Sequence, residues 1–417
     1  MFLKSLKVFP RVDIFPSSIL KNGHEPRQFR VQFGFNASTS LPQDVFGVRL
    51  IALLDTHLKT NYTNVMHLAH QPDPSFERLR KTLYCGQADR VPLAEIVIDG
   101  HAKEAFLGKP VCDLATDVAF HIQAGYDYII LGRRIAGFPP IWNAARFDNY
   151  YEIQSQVGHW RNEGVINDWR DFKNYPWMKP GDLDFRILDQ AERRVPEGLK
   201  VIRYLGQVFQ MGWMLMGFET FCFKLADDPG LVEAVLDKVF EVVYREFEDA
   251  LQRDSVGAIW FGDDIAIKDR LMVSPEVLER LFFPKLRIFG EGCRKKGIPL
   301  IYHSDGDVGQ VLENIVDAGV SALHPIDPTG MDIYEIKKRV AGRLCIIGNI
   351  DVDLLLRGTP QEVEEDTNQH LRGLGPGGGY VLGSSNSIPG TAKPENYRAM
   401  LGTTLKNGVY PIYIDMN

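Results

Sequence analysis

Residues 299–307 read Pro-Leu-Ile-Tyr-His-Ser-Asp-Gly-Asp. An apolar run ends abruptly in one imidazole, His303, and two carboxylates, Asp305 and Asp307, around a glycine. Parallel α/β proteins build active sites in this way. A strand buried on both faces is apolar along its length, and its C-terminal end opens into a loop that can carry polar groups. An imidazole beside carboxylates can hold a divalent cation, move a proton, or fix a turn.

Other apolar segments end in the same manner. One closes in Asp263-Asp264, and later ones deliver His324 with Asp327, Asn349 with Asp351, and Ser384-Ser385-Asn386. Glu95 and His101 lie on and just after an earlier segment. The candidate catalytic residues are therefore His303, Asp305, Asp263 and Asp264. The candidate substrate-binding residues are Glu95, His101, His324, Asn349 and Asn386. Each type also has a structural use: aspartate in turns and helix caps, histidine in a core, asparagine as a hydrogen bonder at strand ends. His303, Asp305 and one carboxylate of the 263–264 pair make a nitrogen–oxygen ligand set that leaves positions open to substrate. The same groups can do acid–base work without metal, because neighbouring carboxylates raise one another's pKa. No HExxH motif and no cysteine stands at the cluster, so both chemistries stay open.

These groups need a scaffold that brings strand ends to one face. Strand patterns run over 91–98, 126–132, 200–206, 258–264, 300–304, 322–326, 344–350 and 379–383. Helical patterns separate them over 76–85, 113–124, 228–252, 275–296, 308–318, 332–341, 359–374 and 394–405. Repeated strand–helix units imply parallel strands joined by right-handed crossovers. About eight units predict a (β/α)8 TIM barrel over residues 74–417. No GxGxxG follows a strand and no P-loop is present, which disfavours a nucleotide-binding doubly wound sheet. Residues 1–73 lack sustained periodicity and read as an N-terminal extension. Residues 138–182 interrupt the rhythm with Trp142, Trp160, Trp169 and Trp177. They read as an insertion over the barrel mouth or as a packed decoration.

Bulk composition narrows the setting. The chain has 417 residues, 45% hydrophobic and 24% charged, with a net charge of −7. A nucleic-acid surface would carry a basic excess, which is absent here. No apolar run approaches the length of a bilayer span. Cys85, Cys112, Cys222, Cys293 and Cys345 are scattered with no CxxC pair, which suits a reducing compartment. The expected location is the cytoplasm, with neither nucleic acid nor membrane as a partner.

A set of short motifs points to a family. They are Glu77-Arg78-Leu79 through Asp89-Arg90-Val91-Pro92, Leu225-Ala226-Asp227-Asp228-Pro229, Gly262-Asp263-Asp264, His303-Ser304-Asp305-Gly306, Ile347-Gly348-Asn349-Ile350-Asp351, and Gly379-Tyr380-Val381-Leu382 through Pro394-Glu395-Asn396. In this order, over residues 75–408, the chain resembles the uroporphyrinogen decarboxylase superfamily. The resemblance implies a (β/α)8 barrel and one of two activities. One is decarboxylation of the acetate side chains of uroporphyrinogen III, which uses no metal or cofactor. The other is methyl transfer involving a corrinoid protein, usually with zinc.

The chain departs from both groups. The decarboxylases have an arginine-rich stretch where this chain has Ala94-Glu95-Ile96-Val97-Ile98-Asp99-Gly100-His101, and a pocket histidine where it has Asn386. A polycarboxylate substrate needs cationic partners, which this stretch does not supply. The thiol-activating methyltransferases use His-x-Cys and a later Cys as zinc ligands. Here the matching positions are His303, Asp305 and Asn386. The pattern resembles the branch that takes a methyl group from methoxy or methylamine-type donors and passes it to a corrinoid protein. The resemblance admits zinc at His303 and Asp305, and a cobalamin carried on the partner protein. The expected partners are a small-molecule substrate, that corrinoid protein, and a second copy of the chain. A decarboxylase of porphyrin biosynthesis is the alternative, followed by a non-catalytic ligand-binding barrel.

Overall fold

Apolar runs with β-branched and aromatic residues become the strands. Tyr128–Leu131 (β1), Lys200–Gly206 (β2) and Val256–Gly262 (β3) come first. Ala266–Ile267 (β4) and Arg270–Leu271 (β5) form a small antiparallel hairpin. Leu300–His303 (β6), Ala322–His324 (β7), Cys345–Ile347 (β8) and Tyr380–Val381 (β9) follow. The computed structural model describes residues 72–132 and 164–412, all within the unit Tyr62–Asn417. Among these residues β1, β2, β3, β6, β7, β8 and β9 make one curled parallel sheet in that order. The expected extension over 1–73 lies outside the described residues except for its last two positions. Residues 133–163 also lie outside them, and with them residues 138–163 of the tryptophan-rich stretch, including Trp142 and Trp160.

Helices between strands cover the sheet. Pro229–Leu251 buries Leu231, Val235, Leu236, Val239, Val242, Val243 and Phe247 along one stripe, the spacing of a helix face turned to a core. Asp228 caps it by accepting from Leu231 N, and Pro229 fills its first turn, where a missing N–H costs nothing. From that helix Glu246 accepts from Arg203 of β2 at 2.9 Å. The helix expected over 275–296 is two, Pro275–Leu281 and Phe283–Lys296. Pro284 accounts for the break, since its ring cannot sit inside a continuous helix. No helix among the described residues is long and apolar enough to cross a membrane.

Residues 91–98, expected as a strand of the ladder, join the sheet differently. They meet the β9 side through isolated parallel bridges, Leu93 to Leu382 and Ile98 to Ile388. Between these bridges one side advances 98 − 93 = 5 residues and the other 388 − 382 = 6. Residues 383–387 therefore bulge, as strands often do beside active sites. Toward β1 the link is a side chain. The Tyr128 hydroxyl accepts from Glu95 N at 2.7 Å and donates to Glu95 O at 2.8 Å, taking the place of a ladder pair.

Register decides what meets at the C-terminal edge. Gly262 of β3 stands beside His303 of β6, and His303 beside His324 of β7. The polar residues that follow these positions are thereby gathered at one face.

Candidate active site

The centre of that face is a cluster of Asp264, His303 and Asp305, whose ligand atoms all lie within 4.8 Å of one another. His303 Nε2 is 3.7 Å from Asp264 Oδ1 and 3.6 Å from Asp305 Oδ1. Both separations are too long for good hydrogen bonds. They match the spacing of neighbouring ligands around a tetrahedral zinc, about 3.4 Å for bonds of about 2.1 Å.

The cluster is held from behind. His303 Nδ1 and His324 Nδ1 are 2.8 Å apart, and the rings stack at 5.0 Å. One of the two nitrogens carries the proton and the other accepts it. His324 is fully buried; burial, and then the charge on His303, hold its pKa well below the histidine range. When His303 donates through Nδ1, its Nε2 lone pair faces the two carboxylates, ready for a cation. When His324 donates instead, His303 presents Nε2–H to them. The pair thus serves a metal ligand or a proton donor, and His324 fixes which.

Asp305 is fastened on two sides. Asn386 Nδ2 donates to both of its oxygens at 3.0 Å, and its own N–H donates to Asp264 Oδ1 at 3.0 Å. Asp305 keeps 38% of its side chain exposed. Its pKa is pushed up to about 6, first by burial and further by Asp264 and Asp327, against the pull of His303 and Asn386. Gly306, next in sequence, has φ +77 and packs on the β4–β5 hairpin. A Cβ there would stand 2.5 Å from Ile267 N, so no other residue fits. Asp327 Oδ2 accepts from Gly306 N at 2.9 Å, which closes the loop that aims Asp305.

Several expected site residues are braces buried within the protein, and one stays on the surface outside the cluster. Asp263 is fully buried and accepts from Val208, Phe209 and Gln210 N at 2.7–2.8 Å. It caps the helix Phe209–Met216 and leaves Asp264 to face the pocket. Burial pushes its carboxyl up to about 7 against those three donors. Asn349 gives its amide N–H to Ile326 O, and its Oδ1 accepts from His370 Nε2, 3.1 Å away. Ile326 has φ +58, a costly conformation for a β-branched residue, and Asn349 pins it. His324 has no open face to offer a substrate. Glu95 is likewise fully buried, bound to Ser384. His101 stays on the surface, 72% exposed and paired with Asp99, and does not join the cluster.

Three contributors carried little signal in the chain. His370 sits mid-helix, and only its contact with Asn349 reveals its task. Tyr128 looks like any strand aromatic. Ser384 follows an apolar run, which marked the segment but not the residue.

With this geometry in place, comparison with known proteins is informative. The family model described as Uroporphyrinogen decarboxylase (URO-D) matches residues 166–406, more than half of the chain. A uroporphyrinogen decarboxylase of Pseudoalteromonas translucida (strain TAC 125) is 32% identical over 248 residues, covering 56% of this chain and 67% of the relative. That of Anaeromyxobacter dehalogenans (strain 2CP-C) is 27% identical over 195 residues, covering 44% of this chain and 51% of the relative. The match with the Anaeromyxobacter relative thus spans about half of that protein's length. Among solved structures, a methyltransferase from Methanosarcina mazei superposes with a TM-score of 0.61 at 17% identity, covering 80% of this chain and 99% of that one. That likeness concerns the fold. Motifs, fold and family match agree, and the chain belongs to the uroporphyrinogen decarboxylase family.

Proposed function

We propose that this protein is a methyltransferase that moves a methyl group from a small methoxy or methylamine-type donor to a corrinoid protein. The supporting observation is the make-up of the central cluster: two carboxylates and an imidazole whose ligand atoms lie within 4.8 Å of one another. A polycarboxylate tetrapyrrole would meet like charge there, whereas a small ether or amine meets groups that activate a leaving oxygen or nitrogen. The closed (β/α)8 barrel belongs to the same reading, with 91–98 as its eighth staff.

The donor set suits a divalent cation, with His303, Asp264 and Asp305 as the residues that would hold it. A bound zinc would supply Lewis-acid polarisation of the leaving atom. With a cation there, His303 would present its Nε2 lone pair to it while its Nδ1–H donates to His324. Asn386 keeps both oxygens of Asp305 pointed at the cluster. When the methyl carbon leaves its oxygen or nitrogen for cobalt, the bond pair stays on that atom, which then takes a proton. Where no cation is bound, Asp305, its carboxyl pushed up to about 6 by burial, stands where it can hand one over; as a metal ligand it would hold no proton, and water would supply it.

The test is methyl transfer to cob(I)alamin, free or protein-bound, from a panel of methoxy and methylamine donors. His303→Ala should lose about 10²–10⁴-fold of the rate, the span of a lost acid–base or polarising group. No transfer from any donor would sink the reading. The named relatives support a second reading, decarboxylation of uroporphyrinogen. Coproporphyrinogen formed from uroporphyrinogen would establish it.

A further inference from the structure

The bulge at 383–387 holds a fully buried carboxyl group. Ser384 N donates to Glu95 Oε1 at 2.8 Å, and Ser384 Oγ lies 2.5 Å from Glu95 Oε2. The same Oγ lies 2.9 Å from the backbone oxygen of Asn386. A hydroxyl has one hydrogen and cannot donate to both. If Glu95 were ionised, Ser384 would give that hydrogen to it, and the Asn386 carbonyl would have no donor from this residue. If Glu95 carries a proton, it donates to Ser384 Oγ, and Ser384 donates onward to Asn386 O. Only the second arrangement fits both short contacts.

The chain of bonds continues to the site. Ser387 N donates to Asn386 Oδ1 at 2.7 Å, which turns Nδ2 toward the two oxygens of Asp305. The titratable groups that face Glu95 are the phenols of Tyr126, ahead of β1, Tyr128 of β1, and Tyr397 of the helix Pro394–Asn407. Burial holds all three phenols well above their ordinary range, so each is neutral. Among these neighbours no cation offsets a charge on Glu95. Burial accordingly pushes its carboxyl up to about 8.

We propose that Glu95 is a positioning residue that acts as a hydrogen-bond donor, setting Asn386 over Asp305 by way of Ser384. Its relevance to cation binding rests on the functional reading above, but its protonation and its hold on Asn386 do not. The donated bond is the part that matters, so glutamine can replace it: Oε1 accepts from Ser384 N, and Nε2–H donates to Ser384 Oγ.

The experiment compares the full-length protein with Glu95→Gln, Glu95→Ala and Ser384→Ala. Difference infrared spectra at neutral pH should show a protonated-carboxyl band in the wild type that disappears in Glu95→Gln. Co²⁺ affinity, read from its visible spectrum, should stay within about twofold in Glu95→Gln and fall about tenfold or more in Glu95→Ala and Ser384→Ala, as for lost support behind a ligand. Crystal structures should keep the Asn386–Asp305 bonds in Glu95→Gln and lose them in Ser384→Ala. If the band is missing from the wild type, or Glu95→Gln displaces Asn386 as Ser384→Ala does, the proposal fails. If the wild type binds no Co²⁺, the metal reading fails alone, and the infrared band and the Asn386 position still decide this inference. Should Glu95→Ala not fold, Ser384→Ala and Glu95→Gln carry the test.

Discussion

Replacing Glu95 with glutamine should change how stability depends on pH, and the size of the change follows from burial. The carboxyl moves from an ordinary 4.5 to about 8 on folding. Between those values the folded chain holds a proton that the unfolded chain has released. The unfolded state therefore gains relative stability as pH rises, and folding weakens through this window. One pKa unit corresponds to about 1.4 kcal/mol. Over the 3.5 units the loss approaches 5 kcal/mol, of which roughly 3 has accrued by pH 7. Glutamine carries no such proton and keeps both bonds to Ser384. The stability of Glu95→Gln relative to wild type should thus rise by about 5 kcal/mol from about pH 4.5 to about pH 8, then level off. Urea unfolding of the two proteins at matched pH reads this difference directly, since every other titrating group cancels in the subtraction. A difference that is flat with pH, or that turns against glutamine as pH rises, would show that Glu95 folds as a carboxylate. The proton count at Ser384 would then be wrong.

Other consequences are local. Asp263→Ala strips three buried N–H groups of their acceptor and should cost about 3–5 kcal/mol in denaturant unfolding; Asp263→Asn, which still accepts, should cost less. Gly306→Ala forces a Cβ into the hairpin at φ +77 and should cost about 1–3 kcal/mol, with Co²⁺ binding weakened because Asp305 is re-aimed; unchanged binding and stability would mean the loop shifts freely. His324→Phe keeps the ring stacked on His303 but removes the Nδ1 partner, and Co²⁺ affinity should fall about tenfold while the thermal midpoint changes little. Equal affinity in that variant would show that His303 needs no help in choosing its tautomer.

Adjacent residues show where sequence reading ends. Asp263 and Asp264 are chemically identical and neighbours, and both stand after one apolar run. What separates them is a helix start more than fifty residues earlier in the chain. Its three free N–H groups at 208–210 claim the first carboxylate and leave the second to the pocket. Glu95 and Asn349 looked like binding groups because polar residues at strand ends are costly to bury alone. The partners that satisfy them, Ser384 and His370, lie 289 and 21 residues away, and no local pattern pairs them. The ladder strand expected at 91–98 differs for a similar reason. Its pattern is strand-like, yet the extra residue on the β9 side allows bridges in place of a continuous ladder.

Taken by itself, the chain determined the alternation of apolar strands and amphipathic helices, because burial and period are local properties of a segment. It also determined that His303 and Asp305 follow a buried strand, and which family its motifs resemble. Tertiary structure alone decided which polar ends meet. Register set Gly262, His303 and His324 side by side, and a bulge brought Asn386 to Asp305. Such meetings depend on pairing between segments far apart in sequence, where a shift of one residue would turn a side chain to the opposite face.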